Sequence, residues 1–286
     1  MQVLSKVDTE KALSSVCQKM SEGNTRPKVT VVTWLQRVAA ILFIPLLIVF
    51  GIQNLKPRPV EIAQIIEVKT NPGMTTTVNL PDGSVVHLNS ESKLSYPSFF
   101  DKDKRRVTLQ GEAFFEVQKD PEHGFVISTP HETKIEVLGT SFNVEAFEKD
   151  DFVSTTLIEG KVRFDYMKNR QSTAVLMKPG QKLTYDSSSS RIQLIETNGE
   201  SEIAWKDGKV VFHATPLPEA LRMLEKRFNV TFVLSNERLR SEAFTGSFSH
   251  QRLERILEIF KISSNIKWRY LDTQDTINEK TRIEIY

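Results

Sequence analysis

Cysteine is nearly absent from this 286-residue chain, which holds only Cys17. An intrachain disulfide framework is therefore excluded, as is any zinc site built on two or more thiolates. Histidine is scarce too, with five scattered residues. Neither sign of charge dominates: 38 basic and 36 acidic residues leave +2, too balanced for a protein that coats nucleic acid. The G-x-S-x-G, G-x-x-x-x-G-K and H-E-x-x-H patterns are missing, and with them the usual nucleophile–base, phosphate and metalloprotease signatures. The residues thus point away from an enzyme and ask for no cofactor or metal. What is present is ordinary for a folded protein, with 39% apolar residues, 26% charged residues and 17 phenylalanines. At about 150 residues per domain the length suggests two domains.

The charge balance hides an asymmetry. Residues 1–37 hold six basic and three acidic side chains, and the rest of the chain is close to neutral. Behind this basic segment, Val38–Ile52 runs through 15 residues without a polar side chain. Fifteen helical residues rise about 22 Å, short of a hydrocarbon core of about 30 Å. Extension back through Val31–Leu35 and forward to Leu55 supplies the missing length, and the expected transmembrane helix is 33–55. Val38, Ile41, Leu42, Leu46, Val49 and Ile52 are its apolar body. Trp34 suits the interface, Arg37 can snorkel, and Pro45 is tolerated inside a membrane. A signal peptide would need a 37-residue n-region and finds no A-x-A-like cleavage site. A buried helix of a soluble core is the remaining alternative. The positive-inside rule places residues 1–35 in the cytoplasm and everything after the span outside it.

Within 1–35, Thr9–Met20 puts Leu13, Val16, Cys17 and Met20 on one helical stripe. A helix this short is marginal alone. It reads either as a membrane-surface tail or as a docking helix for a cytoplasmic partner. Residues 21–30 look like linker, and Lys56–Val60 like a stiff exit from the membrane.

Residues 57–198 read as an all-β sandwich, barrel or short solenoid. Thr77–Leu80, the turn at Pro81, Asp82 and Gly83, and Ser84–Leu88 spell a hairpin. Val107–Leu109, Gln110–Gly111 and Glu112–Val117 suggest a second. Leu157–Glu159, Gly160 and Lys161–Phe164 suggest a third strand–turn–strand. Phe142, Val144 and Ala146 alternate with Asn143 and Glu145. Lys178–Gln181 and Ser187–Ser190 look like further turns. Glu112 and Glu116 would share a strand face about 13 Å apart, as solvated charges. His123 and His131 sit in turn-like contexts without metal-ligand spacing. Phe99, Phe114 and Tyr166 are the aromatics a carbohydrate-binding surface would expose.

Residues 205–286 contain an ungapped repeat at an offset of 36, in which Phe212, Leu217, Leu221 and Phe232 match Phe248, Leu253, Leu257 and Trp268. Each copy reads strand, helix, strand. The helix stripes are Leu217, Ala220, Leu221, Leu224 and Leu253, Ile256, Leu257, Phe260. Pro216 or Pro218 opens the first helix, and Thr215 and Ser249 are expected N-caps. The expected fold is a duplicated βαβ pair with both helices on one small sheet. The final strand Ile283–Tyr286 would offer an edge to a partner's strand.

Several runs in order carry a family resemblance: TVNLPDGSVVHLNSESKLSYPSFFDKDKRRVTLQGEAFFEV, VLGTSFNVEAFEKDD, TTLIEGKVRF and LMKPGQKLTYD. They resemble the FecR family of membrane-anchored anti-sigma factors, in its Bacteroidetes variety. The matching positions are Pro81, Asp82, Gly83, Gly111, Glu112, Phe115, Gly139, Phe142, Asn143, Gly160, Pro179 and Gly180. The tail from Ala204 to Tyr270 resembles the C-terminal domain of the same proteins, which is similar to the small signalling domain of secretins and TonB-dependent transporters. The resemblance implies an α+β multi-domain protein of the inner membrane. It implies two partners besides the lipid bilayer, an extracytoplasmic-function sigma factor inside and the N-terminal signalling domain of an outer-membrane transporter outside. No direct contact with nucleic acid is implied. The family usually begins with a cytoplasmic helical bundle, whereas about 35 residues precede the span here. The rival reading is an anchored envelope-assembly module that contacts no sigma factor.

Overall fold

The computed structural model describes residues 9–22, 30–55, 63–101, 103–168, 171–271 and 280–286. The expected exit segment Lys56–Val60 and most of the 21–30 linker lie outside the described residues. The chain divides into two compact units, residues 1–61 and 62–286.

The first unit holds two helices, α1 (Thr9–Glu22) and α2 (Val31–Leu55). Leu13, Val16 and Met20 are all more than half exposed along α1, and Cys17 is exposed beside them. In α2, the 22 residues Val31–Ile52 have a mean hydropathy of 2.3. Their rise of about 33 Å is enough to cross a bilayer. Pro45 lies within the helix.

The second unit opens with strands β1 (Ile65–Lys69), β2 (Thr76–Asn79), β3 (Val85–Leu88), β4 (Lys93–Pro97) and β5 (Lys104–Glu116). Then come β6 (Gly124–Thr129), β7 (Thr133–Val137), β8 (Ser141–Ala146) and β9 (Phe152–Glu159). β10 (Val162–Lys168), β11 (Gln171–Met177), β12 (Gln181–Asp186) and β13 (Arg191–Glu196) complete the set. They form two sheets, ordered β1-β4-β5-β6-β7-β10-β11 and β2-β3-β5-β8-β9-β12-β13. Every pairing is antiparallel except β5 with β6. The sheets face each other over one apolar core in which Phe115 of one sheet meets Phe125 of the other at 6.2 Å between ring centres. Tyr166 and Tyr185 make a second cross-sheet contact at 5.2 Å. The all-β expectation therefore resolves into a sandwich.

β5 corrects the expected second hairpin. Lys104–Gln110 and Gly111–Glu116 are one continuous strand. Its first half pairs with β4 and β6 in one sheet, and its second half pairs with β3 and β8 in the other. Gly111 is the corner, with φ of 107°. A side chain there would place its Cβ 2.7 Å from Ser92 Cα. Gly160 likewise links β9 of one sheet to β10 of the other, so that strand–turn–strand is not a paired hairpin. The Pro81–Gly83 turn does join the paired strands β2 and β3, with Gly83 at φ 83°.

A short helix α3 (Glu200–Ile203) and a turn of 3-10 helix (Ala204–Asp207) lead to β14 (Val210–Pro216), α4 (Leu217–Phe228) and β15 (Val230–Leu234). β16 (Ala243–Phe248), α5 (Leu253–Ser264), β17 (Trp268–Leu271) and β18 (Thr281–Ile285) follow. Both expected helix stripes are buried. The strands form two small sheets rather than the one expected, β14-β16 and β15-β18-β17. The expected caps are also corrected: Pro216 and Arg252 occupy the N-cap positions, and Thr215 instead accepts a hydrogen bond from the His213 N–H at 3.0 Å. Pro218 sits in the first turn of α4, where its missing N–H costs nothing. β18 lies between β15 and β17, and Tyr286 exchanges two backbone bonds with Lys267, so the terminal strand is not an edge.

Phe260 anchors this second core, stacked on Phe244 with ring centres 4.0 Å apart and only 1% exposed. Phe260→Ala is expected to cost about 3–5 kcal/mol, read as a lower denaturant midpoint with an unchanged slope.

Candidate functional site

The distinctive chemistry of residues 62–286 lies where the outer face of the β8 sheet meets α4. Along β8, Phe142, Val144 and Ala146 enter the sandwich core, as alternation predicts. Asn143 and Glu145 point the other way, yet they are only 4% and 9% exposed. Glu112 on β5 stands directly opposite Glu145 in the ladder and is 5% exposed. The expectation that Glu112 is a solvated charge is thus overturned, although Glu116 is exposed as expected.

Two like charges opposite each other on adjacent strands repel, and burial makes the repulsion worse. A cation inserted from α4 resolves it. Lys226 Nζ lies 2.9 Å from Glu112 and 2.6 Å from Glu145. One turn earlier, Arg222 reaches Glu145 at 2.8 Å and Asp150 at 3.4 Å, with its guanidinium over the Phe152 ring. The α4 periodicity that buries Leu217 and Leu221 in one direction leaves Arg222 and Lys226, four apart, on another face. Asn89 and Asn143 donate to the two oxygens of Glu112 at 2.9 and 3.0 Å. Trp205 Nε1 donates to Asn143 at 3.3 Å. On β12, two strands along the sheet from β8, Lys182 pairs with Glu202 at 3.2 Å and with Glu219 of α4 at 3.5 Å. Beside this cluster opens a cleft of about 930 Å³, walled by both the sandwich and the C-terminal helices.

Electrostatics follow from this geometry. Burial alone would raise the Glu145 carboxyl, but the charges of Lys226 and Arg222 outweigh it and hold the group down to about 2 from its ordinary 4.5. Burial would likewise lower Lys226, and Glu112 and Glu145 outweigh that and raise it above its ordinary 10.5. A depressed carboxyl contributes stability that is complete above about pH 4.5 and is lost as pH falls toward 2. A raised ammonium contributes stability that is complete below about pH 10.5 and is lost as pH rises through its folded value. Glu145 and Lys226 are therefore both charged on a plateau between those limits. Denaturant midpoints measured against pH are expected to be flat across it and to fall below pH 4.5, with Glu145→Gln flattening that acid limb.

The family-motif positions divide by role. Glu112 and Asn143 line the cleft. Phe115 and Phe142 stack in the sandwich core at 5.3 Å. Pro81, Asp82 and Gly83 form the β2–β3 turn, where Asp82 accepts from Arg105 Nη1 at 2.8 Å and Ser84 Oγ at 2.7 Å. Gly139 passes so close to Lys119 that a Cβ would sit 2.6 Å from its Cα. Gly111 and Gly160 turn the sheet corners, and Pro179–Gly180 turns between β11 and β12. Of the aromatics, Phe114 and Tyr166 are buried, which removes them from any sugar-binding surface; Phe99 is 40% exposed. His123 bonds Asp120, and His131 bonds the Asp150 carbonyl. Among the described residues, no cluster of His, Cys, Asp and Glu could hold a metal.

Sequence reasoning missed Arg222, Lys226 and Lys182. The available signal was weak: two cations four apart on the polar side of an amphipathic helix, which ordinarily face water.

Two family models match the chain, FecR protein over residues 66–163 and FecR, C-terminal over residues 209–278. Two crystal structures of a candidate anti-sigma factor from Parabacteroides distasonis ATCC 8503, at 1.65 and 2.50 Å, are similar to it. Each is 29% identical with a TM-score of 0.66. The first covers 77% of this chain and 98% of its own, and the second covers 78% and 99%. No curated protein matches the sequence.

Proposed function

We propose, since this chain belongs to the FecR family of sigma-factor regulators, that it is a single-pass relay of the inner membrane. In this reading α1 lies in the cytoplasm and engages an extracytoplasmic-function sigma factor through Leu13, Val16, Cys17 and Met20. Residues 62–286 lie in the periplasm and receive a signal from the N-terminal signalling domain of a TonB-dependent outer-membrane transporter. The joint of Glu112, Glu145, Arg222 and Lys226 couples the C-terminal helices to the sandwich.

One observation carries the reading. A membrane-length apolar helix, none of it buried, stands in the sequence between an exposed amphipathic helix and the family's globular modules. The basic excess ahead of α2 supports the inward orientation of the N-terminus. The polar joint ties α4 directly to the outer face of the sheet, which gives a signal reaching the C-terminal helices a route to the sandwich.

The test uses the full chain in cells with its sigma factor. Deletion of residues 1–30 is expected to abolish both retention of the sigma factor on membranes and control of its target promoter. Unchanged control after the deletion would overturn the reading and favour an envelope-assembly module. The anchor is tested separately. Arginine at Ile44 and Leu47 adds about 2.5–3.5 kcal/mol each to insertion, and the double variant is expected to leave the membrane fraction.

A further inference from the structure

Sheet edges in folded proteins are blunted by charge, brevity or cover, and most edges in residues 62–286 obey this. β1 carries Glu67, which is gripped by Lys69 and Lys93 at 2.8 and 2.9 Å. β2 is four residues long. β13 begins with Arg191 and ends with Glu196. β17 holds Arg269 in a 2.6 Å pair with Glu284. On β15, the Phe232 N–H is taken by the Glu225 carboxylate at 2.7 Å.

β11 differs from all of these. Its seven residues, Gln171–Met177, contain no charge, no proline and no glycine. It pairs with β10 alone among the described strands. Val175 and Met177 turn inward to the core, while Leu176 is 75% exposed on the other face. In the middle of its ladder the only charges are Arg163 and Asp165 of β10, opposite Leu176 and Ala174, and they neutralise each other in a 3.0 Å pair; the uncompensated charges sit around its ends. Lys168 stands beside Gln171 in the ladder, and Lys161 and Lys178 flank the Val162–Met177 pair at the other end. All three are exposed, and none makes an ion pair among the described residues.

We propose that the free edge of β11 is a docking site for an extended strand of another protein that bears carboxylates at its ends. Main-chain hydrogen bonds to an unguarded edge supply affinity. The lysines supply selection, because like charges brought together cost more than unlike charges gain. The same lysines argue against a second copy of this chain. Antiparallel self-pairing would bring the Lys161–Lys178 end of one copy against the Lys168 end of the other. This inference is independent of the sigma-factor reading, since it rests on the edge and its charges alone.

The test uses full-length protein in detergent micelles and two labelled synthetic peptides of alternating threonine and valine. One ends in glutamates and the other in lysines. By fluorescence polarisation the glutamate-ended peptide is expected to bind at least tenfold more tightly, with the gap narrowing in high salt. Leu176→Glu places a repelling charge on the edge without touching the core and is expected to weaken that binding at least tenfold. Ala174→Pro should do the same where it folds, and Leu176→Glu decides the matter where it does not. Absent binding, equal binding of the two peptides, or binding unchanged by Leu176→Glu would overturn the proposal. So would a concentration-dependent dimer that Leu176→Glu abolishes, which would assign the edge to a second copy.

Discussion

Replacing Lys226 by methionine is expected to break the joint between the sandwich and the C-terminal helices. It leaves Glu112 and Glu145 face to face on adjacent strands without the ammonium that lies within 2.9 Å of both. Removing one partner of a buried ion pair costs about 3–5 kcal/mol, whereas replacing the whole group by neutral residues is often tolerated. Denaturant unfolding of residues 62–286 measures the loss. Two signatures separate this electrostatic account from a mere packing defect. First, with Arg222 left as the one cation beside Glu145, the two carboxylates repel, so one of them should bind a proton more readily in the folded state than in the unfolded one. A folded-state value raised in this way contributes stability as pH falls through it. The variant should therefore gain stability between pH 7 and 5, where the parent is flat. Second, adding Glu112→Gln and Glu145→Gln to Lys226→Met should recover at least half of the loss. If the single variant costs less than about 1 kcal/mol, the scale of an exposed pair, the cluster does not hold the joint.

Gly111→Val is expected to remove most of the stability of the folded unit. A branched side chain at φ 107° is strained, and its Cβ would lie 2.5 Å from Ser92 Oγ and 2.7 Å from Ser92 Cα. Strain of about 1–3 kcal/mol adds to an overlap with backbone that has no room to shift, typically another 1–3 kcal/mol or more. The total, about 2–6 kcal/mol or more, reaches the lower end of the whole stability of a domain, about 5–15 kcal/mol. The position is unusually sensitive because β5 belongs to both sheets, so a fault at its corner misplaces both. Gly180→Ala makes the contrast. It also has positive φ, at 82°, but its nearest neighbour is Thr197 O at 3.5 Å, an ordinary contact. That variant should fold with a loss of about 1–2 kcal/mol. Soluble yield and thermal midpoint of the two variants side by side are the measurement, and a folded Gly111→Val with a near-parental midpoint would refute the corner role.

The amino-acid sequence by itself determined the features that depend on near neighbours. The apolar run around Pro45 had to be a helix of membrane length. The Pro81–Asp82–Gly83 turn had to fold β2 back on β3, and the stripes Leu217–Leu224 and Leu253–Phe260 had to face a core. Each is written within one continuous stretch of chain, where period and turn chemistry act. Only the tertiary structure decided that Gly111 and Gly160 are corners between sheets rather than hairpin turns. A positive-φ glycine permits both, and the choice rests on which distant strands pair. Only the tertiary structure, too, turned Glu112 from a water-facing charge into half of a buried pair. Its cation comes from Lys226, 114 residues away. No local pattern announces such a partner, because a carboxylate on the outer face of a strand looks the same whether water or a helix lies above it.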